Sequence, residues 1–279
     1  MTAFPALPPL RDVIARHGLD TRRSLGQHFL LDLNLTDRIA RIAGDLAGVS
    51  VIEVGPGPGG LTRSLLEAGA SRVVAVEKDP RCIGAIAELA AAFPERLEII
   101  EADALEVDAR DLAPAPRKIV ANLPFNVATP LLLQWLRDAR DFAQLTLMFQ
   151  KEVADRLVAE AHTSAYGRLS IMAQWLCQVR RDFNVDARAF VPPPRVASTV
   201  VTLVPRDQPL APAERPLLET VTAAAFGQRR KMLRRSLRPL GIDPVSADID
   251  PTLRAEDLSV EDFCHLARVL AEHRNQEPG

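Results

Sequence analysis

The sequence predicts an α/β fold: a mostly parallel sheet with helices on both faces, followed by a small all-helical C-terminal domain. Three observations carry that expectation. Short apolar runs that read as buried strands alternate with helical patterns through the first two hundred or so residues. A glycine-rich turn follows one of the earliest of these runs, Gly55-Pro56-Gly57-Pro58-Gly59-Gly60. Beyond a proline-rich stretch at residues 205–216, the pattern becomes wholly helical, apart from turn signals at residues 241–244 and at Pro251. The expected domains are therefore residues 1–205 and residues 206–279.

Taken in order, residues 1–48 read as a helical opening segment with a loose start at Pro5, Pro8 and Pro9. Val51-Ile52-Glu53-Val54 reads as a strand running into the glycine turn, and an amphipathic helix follows at residues 61–68. Residues 73–76 form the next strand, ended by Glu77. Residues 97–101 form a third, closed by Ala102-Asp103-Ala104. Residues 118–121 form a fourth, closed by Asn122-Leu123-Pro124-Phe125. A fifth strand is expected at residues 144–149, and residues 179–185 and 199–204 read as a closing, hairpin-like pair. Between that pair lies a stiff loop, Pro192-Pro193-Pro194.

The glycine turn satisfies the spacing of a dinucleotide fingerprint, and Glu77 stands where a ribose-binding acid belongs, so an NAD enzyme has to be weighed. Two features argue against it. A pyrophosphate cradle uses backbone N–H donors at a helix N-terminus, and Pro56 and Pro58 have none. The loop also follows Glu53, an acid better suited to a cationic or hydroxyl-bearing ligand. S-adenosylmethionine, with its adenosine, amino-acid tail and sulfonium, is such a ligand.

Gly55, Glu77, Asp103 and Asn122 each end a successive strand of one βαβαβ pattern, and in an open parallel sheet those ends converge on one crevice. Glu77 would take ribose hydroxyls and Asp103 the adenine amine; taken singly, each reads as a solvated loop charge or helix cap. The Asn122 set offers an amide, a backbone carbonyl, a rigid proline and an aromatic face, the parts needed to hold a flat base by its exocyclic amine. Its bland alternative is a turn capping a strand, with Phe125 as core filler.

Several further blocks occur in a fixed order: Ser24-Leu25-Gly26-Gln27-His28-Phe29-Leu30, Gln150-Lys151-Glu152-Val153, Tyr166-Gly167-Arg168-Leu169-Ser170, Ala189-Phe190-Val191-Pro192-Pro193-Pro194-Arg195-Val196 and Ala225-Phe226-Gly227-Gln228-Arg229-Arg230-Lys231. With these blocks the chain resembles the ribosomal RNA adenine N6-dimethyltransferase family over nearly its whole length. The resemblance implies a Rossmann-like, S-adenosylmethionine-dependent methyltransferase domain that needs no metal. It puts the cofactor contacts on His28, Leu30, Gly55, Glu77, Asp103 and Asn122. The Asn122 side-chain oxygen and the Leu123 carbonyl would accept hydrogen bonds from the target N6, beside Pro124, while Phe125 and Phe190 stack on the base. For Phe190 the alternative is a core aromatic. The implied substrate is a pair of adjacent adenosines near the 3′ end of small-subunit (16S) rRNA in an immature 30S particle, each methylated twice. Two departures stand out: His28 stands where relatives often have Asn, and Phe125 where they usually have Tyr. Two rival readings are a large-subunit rRNA methyltransferase and a non-catalytic assembly factor that keeps the pocket as a relic.

Composition sets outer bounds. The 279 residues carry a formal net charge of −2, but Arg229, Arg230, Lys231, Arg234, Arg235 and Arg238 crowd one stretch without an acid among them. With residues 223–226, Leu233 and Leu237 interleaved, this reads as one basic amphipathic helix that meets RNA phosphates, rather than an ordinary solvated helix face. Arg22 and Arg23 are expected to join that surface. The 3 cysteines and 5 histidines are scattered, so neither a disulfide frame nor a metal cluster is expected. The HxE and PCxxC pair of a zinc base deaminase is missing. No apolar run approaches a membrane span and no signal peptide is evident, so a cytoplasmic monomer is expected.

Overall fold

The structure, a computed structural model, describes residues 7–19 and 28–276. Contacts divide the chain into two compact units, residues 1–154 with 180–205, and residues 155–179 with 206–279. The chain therefore enters the second unit twice. The stretch at 155–179 belongs with the C-terminal residues, a division that a single boundary after residue 205 does not capture.

The first unit opens with α1 (Leu10–Arg16), β1 (Phe29–Leu30) and α2 (Leu33–Ile42). Asp32 caps α2 by accepting the Asn34 N–H at 3.0 Å. There follow β2 (Ser50–Val54), α3 (Gly60–Glu67), β3 (Arg72–Glu77), α4 (Pro80–Ala92), β4 (Leu97–Glu101), α5 (Ala109–Leu112), β5 (Arg117–Asn122), α6 (Ala128–Trp135) and β6 (Gln144–Gln150). α7 (Lys151–Leu157) leads out of the unit, α8 (Arg168–Leu176) lies in the second unit, and β7 (Cys177–Val185) leads back. β8 (Phe190–Val191) and β9 (Ser198–Pro205) complete the first unit.

Seven strands form one sheet in the order β4-β3-β2-β5-β6-β9-β7. The pairs β2–β3, β2–β5, β3–β4 and β5–β6 are parallel, and β9 joins β6 antiparallel. The strand order reverses between β2 and β5, so a crevice opens at the carboxyl ends of those two strands. β2, with every residue buried, is a strand covered on both faces, which is why it reads as an apolar run rather than an alternation. The core beneath the crevice joins Leu61, Leu65 and Leu66 of α3 to Val73, Ala75, Ile86, Val120 and Met148.

A two-stranded ladder pairs Phe29 with Val191 and Leu30 with Phe190. It fixes β1, just before the α2 cap, against the Pro192 loop.

The second unit contains α8, α9 (Arg215–Gly227), α10 (Leu233–Ser236) and α11 (Val260–Gln276). Its core gathers Tyr166, Trp175, Leu218, Val221, Leu233, Leu237, Phe263 and Leu266, and the Trp175 indole N–H donates to the Ala211 carbonyl at 2.8 Å. Phe226 lies stacked on Phe263, with centroids 5.6 Å apart. The single basic helix expected across residues 223–238 is two pieces. α9 stops at Gly227, and Met232 takes an extended conformation, bridged to Arg254. Backbone partners outside the helix cause the break: Leu233 N–H donates to the Leu253 carbonyl (2.8 Å) and Arg234 N–H to the Pro251 carbonyl (3.1 Å). No helix among the described residues is long and apolar enough to cross a membrane.

Candidate active site

The crevice is lined by His28, Leu30, Gly55, Glu77, Asp103, Asn122, Leu123, Pro124 and Phe125, so nine of the residues singled out from sequence meet in one place. They arrive from the carboxyl ends of β2, β3, β4 and β5, with His28 and Leu30 coming from β1 and the residue before it. The glycine turn lets the floor lie close to its neighbours. Gly55 has φ +70°, and a Cβ there would stand 3.3 Å from the Pro124 ring. At Gly60 a Cβ would come 2.8 Å from the Leu30 carbonyl oxygen, so a side chain would push β1 off the head of α3.

Two of the acids that line the crevice, Glu77 and Asp103, are in different electrostatic states. Glu77 is 9% exposed, and burial pushes its carboxyl upward. Opposing that, Oε1 accepts the N–H groups of Lys78 and Asp79, both at 2.9 Å. The Gly57 N–H also bonds this carboxylate, and together these backbone donors hold it in one orientation towards the crevice. Asp103 is held below the usual range, first by the Leu105 N–H on Oδ1 (3.0 Å) and then by the Lys78 ammonium on Oδ2 (3.0 Å). It stays ionised and can accept an exocyclic amine. Lys78 was not foreseen; its only sequence signal is its position one residue past a strand-ending acid.

Another part of the crevice wall is built on the end of β5. The Asn122 amide nitrogen donates to the His28 carbonyl at 3.4 Å, which fixes which end of the amide is which. The side-chain oxygen is thereby left as acceptor for an incoming amine. Phe125 is partly exposed, its ring tilted 33° to the His28 imidazole with centroids 5.5 Å apart. His28 in turn bonds the Pro192 carbonyl through Nδ1 at 2.8 Å. Because a carbonyl only accepts, Nδ1 carries the proton in that bond. The imidazole is thus committed to the Pro192 loop and to Phe125.

Phe190 does not reach the crevice. It is 1% exposed and packs with Leu30, Phe183, Val185 and Val200. The antiparallel register that sets it opposite Leu30 puts it among these core side chains, so the stacking face expected of Phe190 gives way to the core alternative.

In the second unit, Arg230, Lys231, Arg234, Arg235 and Arg238 are exposed. Arg229 is otherwise engaged: its Nε donates to Glu256 at 2.9 Å and an Nη to the Thr163 carbonyl at 3.3 Å. Arg254, brought beside Met232 by the isolated bridge, is an exposed cation that the linear sequence does not connect with the cluster. Arg22, Arg23 and residues 24–27 lie outside the described residues. Among the described residues, no three His, Cys, Asp or Glu side chains are grouped to hold a metal ion.

The family model of ribosomal RNA adenine dimethylases matches residues 18–272. A ribosomal RNA small subunit methyltransferase A of Rhodospirillum rubrum is 62% identical over 272 residues, covering 96% of this chain and 94% of that protein. The same-named protein of Paramagnetospirillum magneticum is 64% identical over 267 residues, covering 95% of each. Among solved structures, a dimethyladenosine transferase from Plasmodium falciparum superposes with a TM-score of 0.73 at 25% identity, covering 88% of this chain and 98% of that one. The 23S rRNA methyltransferase ErmE superposes with a TM-score of 0.66 at 27% identity, covering 87% and 99%.

Proposed function

This chain belongs to the ribosomal RNA adenine dimethylase family, and on that footing we propose that it methylates N6 of two adjacent adenosines near the 3′ end of small-subunit rRNA, twice each, in an immature 30S particle. It is an S-adenosylmethionine-dependent rRNA adenine dimethyltransferase. The observation that carries the site reading is the Asn122 amide, whose nitrogen is tied to the His28 carbonyl so that its oxygen is left to accept from an amine. The small-subunit assignment draws its support from relatives above 60% identity, against 27% for the large-subunit enzyme.

The crevice chemistry fits the cofactor: a glycine floor that admits a close ligand, an oriented acid for ribose and an ionised acid for adenine. When bound, the cofactor supplies a methyl group on a positively charged sulfur. Asn122 and the Leu123 carbonyl accept the two N6 hydrogens in the first transfer and share the one that remains in the second, which turns the nitrogen lone pair out of ring conjugation and toward that methyl. Phe125 supplies a stacking face, worth roughly 1–3 kcal/mol for an unstacked base. The target must leave its helix, because N6 cannot be reached inside a pair. The cationic amine that results is acidic enough to lose its proton to water. Positioning and preorganised dipoles then supply the rate. The exposed cations of the second unit hold rRNA phosphates, and the protein acts as a monomer in the cytoplasm.

Incubation with labelled cofactor and immature subunits, mature subunits or naked rRNA, followed by mapping of modified bases, tests this. Label on two adjacent small-subunit adenosines, with immature particles preferred, is the expected result. Label on large-subunit rRNA would overturn the assignment, and cofactor binding without transfer to any of the three would favour a non-catalytic assembly factor.

A further inference from the structure

His28 touches three parts of the crevice region at once, and the mechanism above uses only one of those contacts. Its carbonyl accepts from the Asn122 amide at 3.4 Å. Its imidazole Nδ1 donates to the Pro192 carbonyl at 2.8 Å, and the ring meets Phe125 with centroids 5.5 Å apart. The first contact belongs to the main chain and the other two to the side chain. Substitution at residue 28 can therefore remove the second and third while leaving the first in place.

Register explains how the imidazole comes to lie there. The ladder of β1 and β8 pairs Leu30 with Phe190 and Phe29 with Val191, so the next residues in line are His28 and Pro192. Proline has no N–H with which to carry the ladder on. Instead, the His28 side chain reaches the Pro192 carbonyl. The adjoining Phe29 and Leu30 are buried, and Pro193 and Pro194 stiffen the chain beyond Pro192. The imidazole is thus held from both sides, through its own backbone and through Nδ1.

Phe125 stands on a turn rather than a strand. The turn is closed by the Val127 N–H on the Pro124 carbonyl at 3.1 Å, just ahead of α6, and the Phe125 side chain is partly exposed. A phenyl ring at such a site has several rotamers open to it, and stacking on a base needs one of them. The ring it meets is the anchored one, and an aromatic pair at this spacing is attractive. We propose that His28 is the positioning residue of the target-base platform: tied to the Pro192 loop, its imidazole holds Phe125 in the orientation that stacks on the adenine. The His28 side chain then serves the target base rather than the cofactor. This rests on the reading of Phe125 as the stacking face.

Single-turnover methylation of immature subunits, with calorimetry of S-adenosylhomocysteine binding, tests this on the full chain. His28→Asn keeps a donor for the Pro192 carbonyl and removes the ring, whereas His28→Phe keeps a ring and removes the donor. Each should lower the rate at saturating particle concentration about tenfold, as expected of a misaligned platform, with a smaller change in the half-saturating concentration. Cofactor affinity and thermal midpoint should stay as they are. In a Phe125→Ala background neither substitution should lower the rate further, because the ring it acts on is gone. Should one variant fail to fold, the cycle with the other decides. Losses that add in the Phe125→Ala background would overturn the inference, as would cofactor affinity that falls in step with the rate. Full activity in either single variant, alongside an impaired Phe125→Ala, would overturn this inference and leave the stacking role of Phe125 intact. Normal methylation by Phe125→Ala itself would overturn the stacking role, and this inference with it.

Discussion

The crevice of the first unit and the cationic stretch of the second were both conspicuous in the sequence, and they came out differently. In the crevice, residues separated by dozens of positions arrive together because a parallel sheet brings strand ends to one edge. In the cationic stretch, residues that are neighbours in sequence are separated by their structural context. Arg229 is spent on Glu256, and the helix that should have carried them all is broken at residues 228–232. Topology protects an inference about strand ends. An inference from local composition has no such protection, because a neighbouring segment can claim the backbone or the charge.

The sharpest test of the crevice is Asn122→Ala. The fold should survive, since the residue ends a strand at a partly exposed crevice wall. Turnover should fall on the order of a hundredfold or more, as when one preorganised polar group is removed. RNA affinity should change little, because the bond matters most in the transition state. Single-turnover methylation of immature subunits measures it, and a variant with near-normal turnover would break the idea that strand ends alone located the chemistry.

Phe125 comes next in size. Phe125→Ala should lower kcat/KM about tenfold to a hundredfold, the equivalent of a lost stacking platform. Phe125→Tyr should be nearly neutral, since the face is retained. Tolerance of alanine would return Phe125 to the packing role that Phe190 has already taken.

That contrast between two phenylalanines shows where legibility ended. β2, β3, β5 and β6 were readable because buried parallel strands are largely apolar runs and their ends carry turn signals; β4, an edge strand with Glu98 and Glu101 exposed, was readable at 97–101 from its apolar residues and the turn that closes it. β1 and β8 are two residues each, too short to show any period, and they were missed. Missing that ladder also hid its consequence, the burial of Phe190 against Leu30. Glu53 was noticed as an acid just before the glycine turn, but its Thr62 partner and its burial depend on α3 packing over β2, which no local pattern encodes. Likewise, the donors that break the basic helix bond to carbonyls at residues 251 and 253, roughly twenty positions away.

The cationic stretch invites a broader substitution. Replacing Arg230, Lys231, Arg234 and Arg235 together with Gln keeps helix propensity and bulk while removing four exposed charges. If these meet phosphates, the log–log dependence of particle affinity on salt should flatten by about 0.7–0.9 per lost contact. Between 0.1 and 0.3 M salt, the unaltered protein should then lose about thirtyfold more affinity than the variant. Filter binding across a salt series reads this directly. An unchanged slope would mean that the stretch serves the second unit's own structure and nothing else.

The smallest expected effect separates Arg229 from its neighbours. Its guanidinium already neutralises Glu256 at 2.9 Å, and the two side chains are 39% and 30% exposed. Arg229→Gln should therefore leave the salt slope close to that of the unaltered protein, whereas Arg230→Gln, at an exposed site, should flatten it by about one contact's worth. The stability cost of losing a half-exposed pair should be small, about 0–1 kcal/mol, because solvent screens it. Paired measurements of salt slope and thermal midpoint on the two single variants distinguish the roles. If Arg229→Gln flattens the slope as much as Arg230→Gln does, the Glu256 pair opens when RNA arrives, and the stretch acts as the uniform basic face that its sequence suggested.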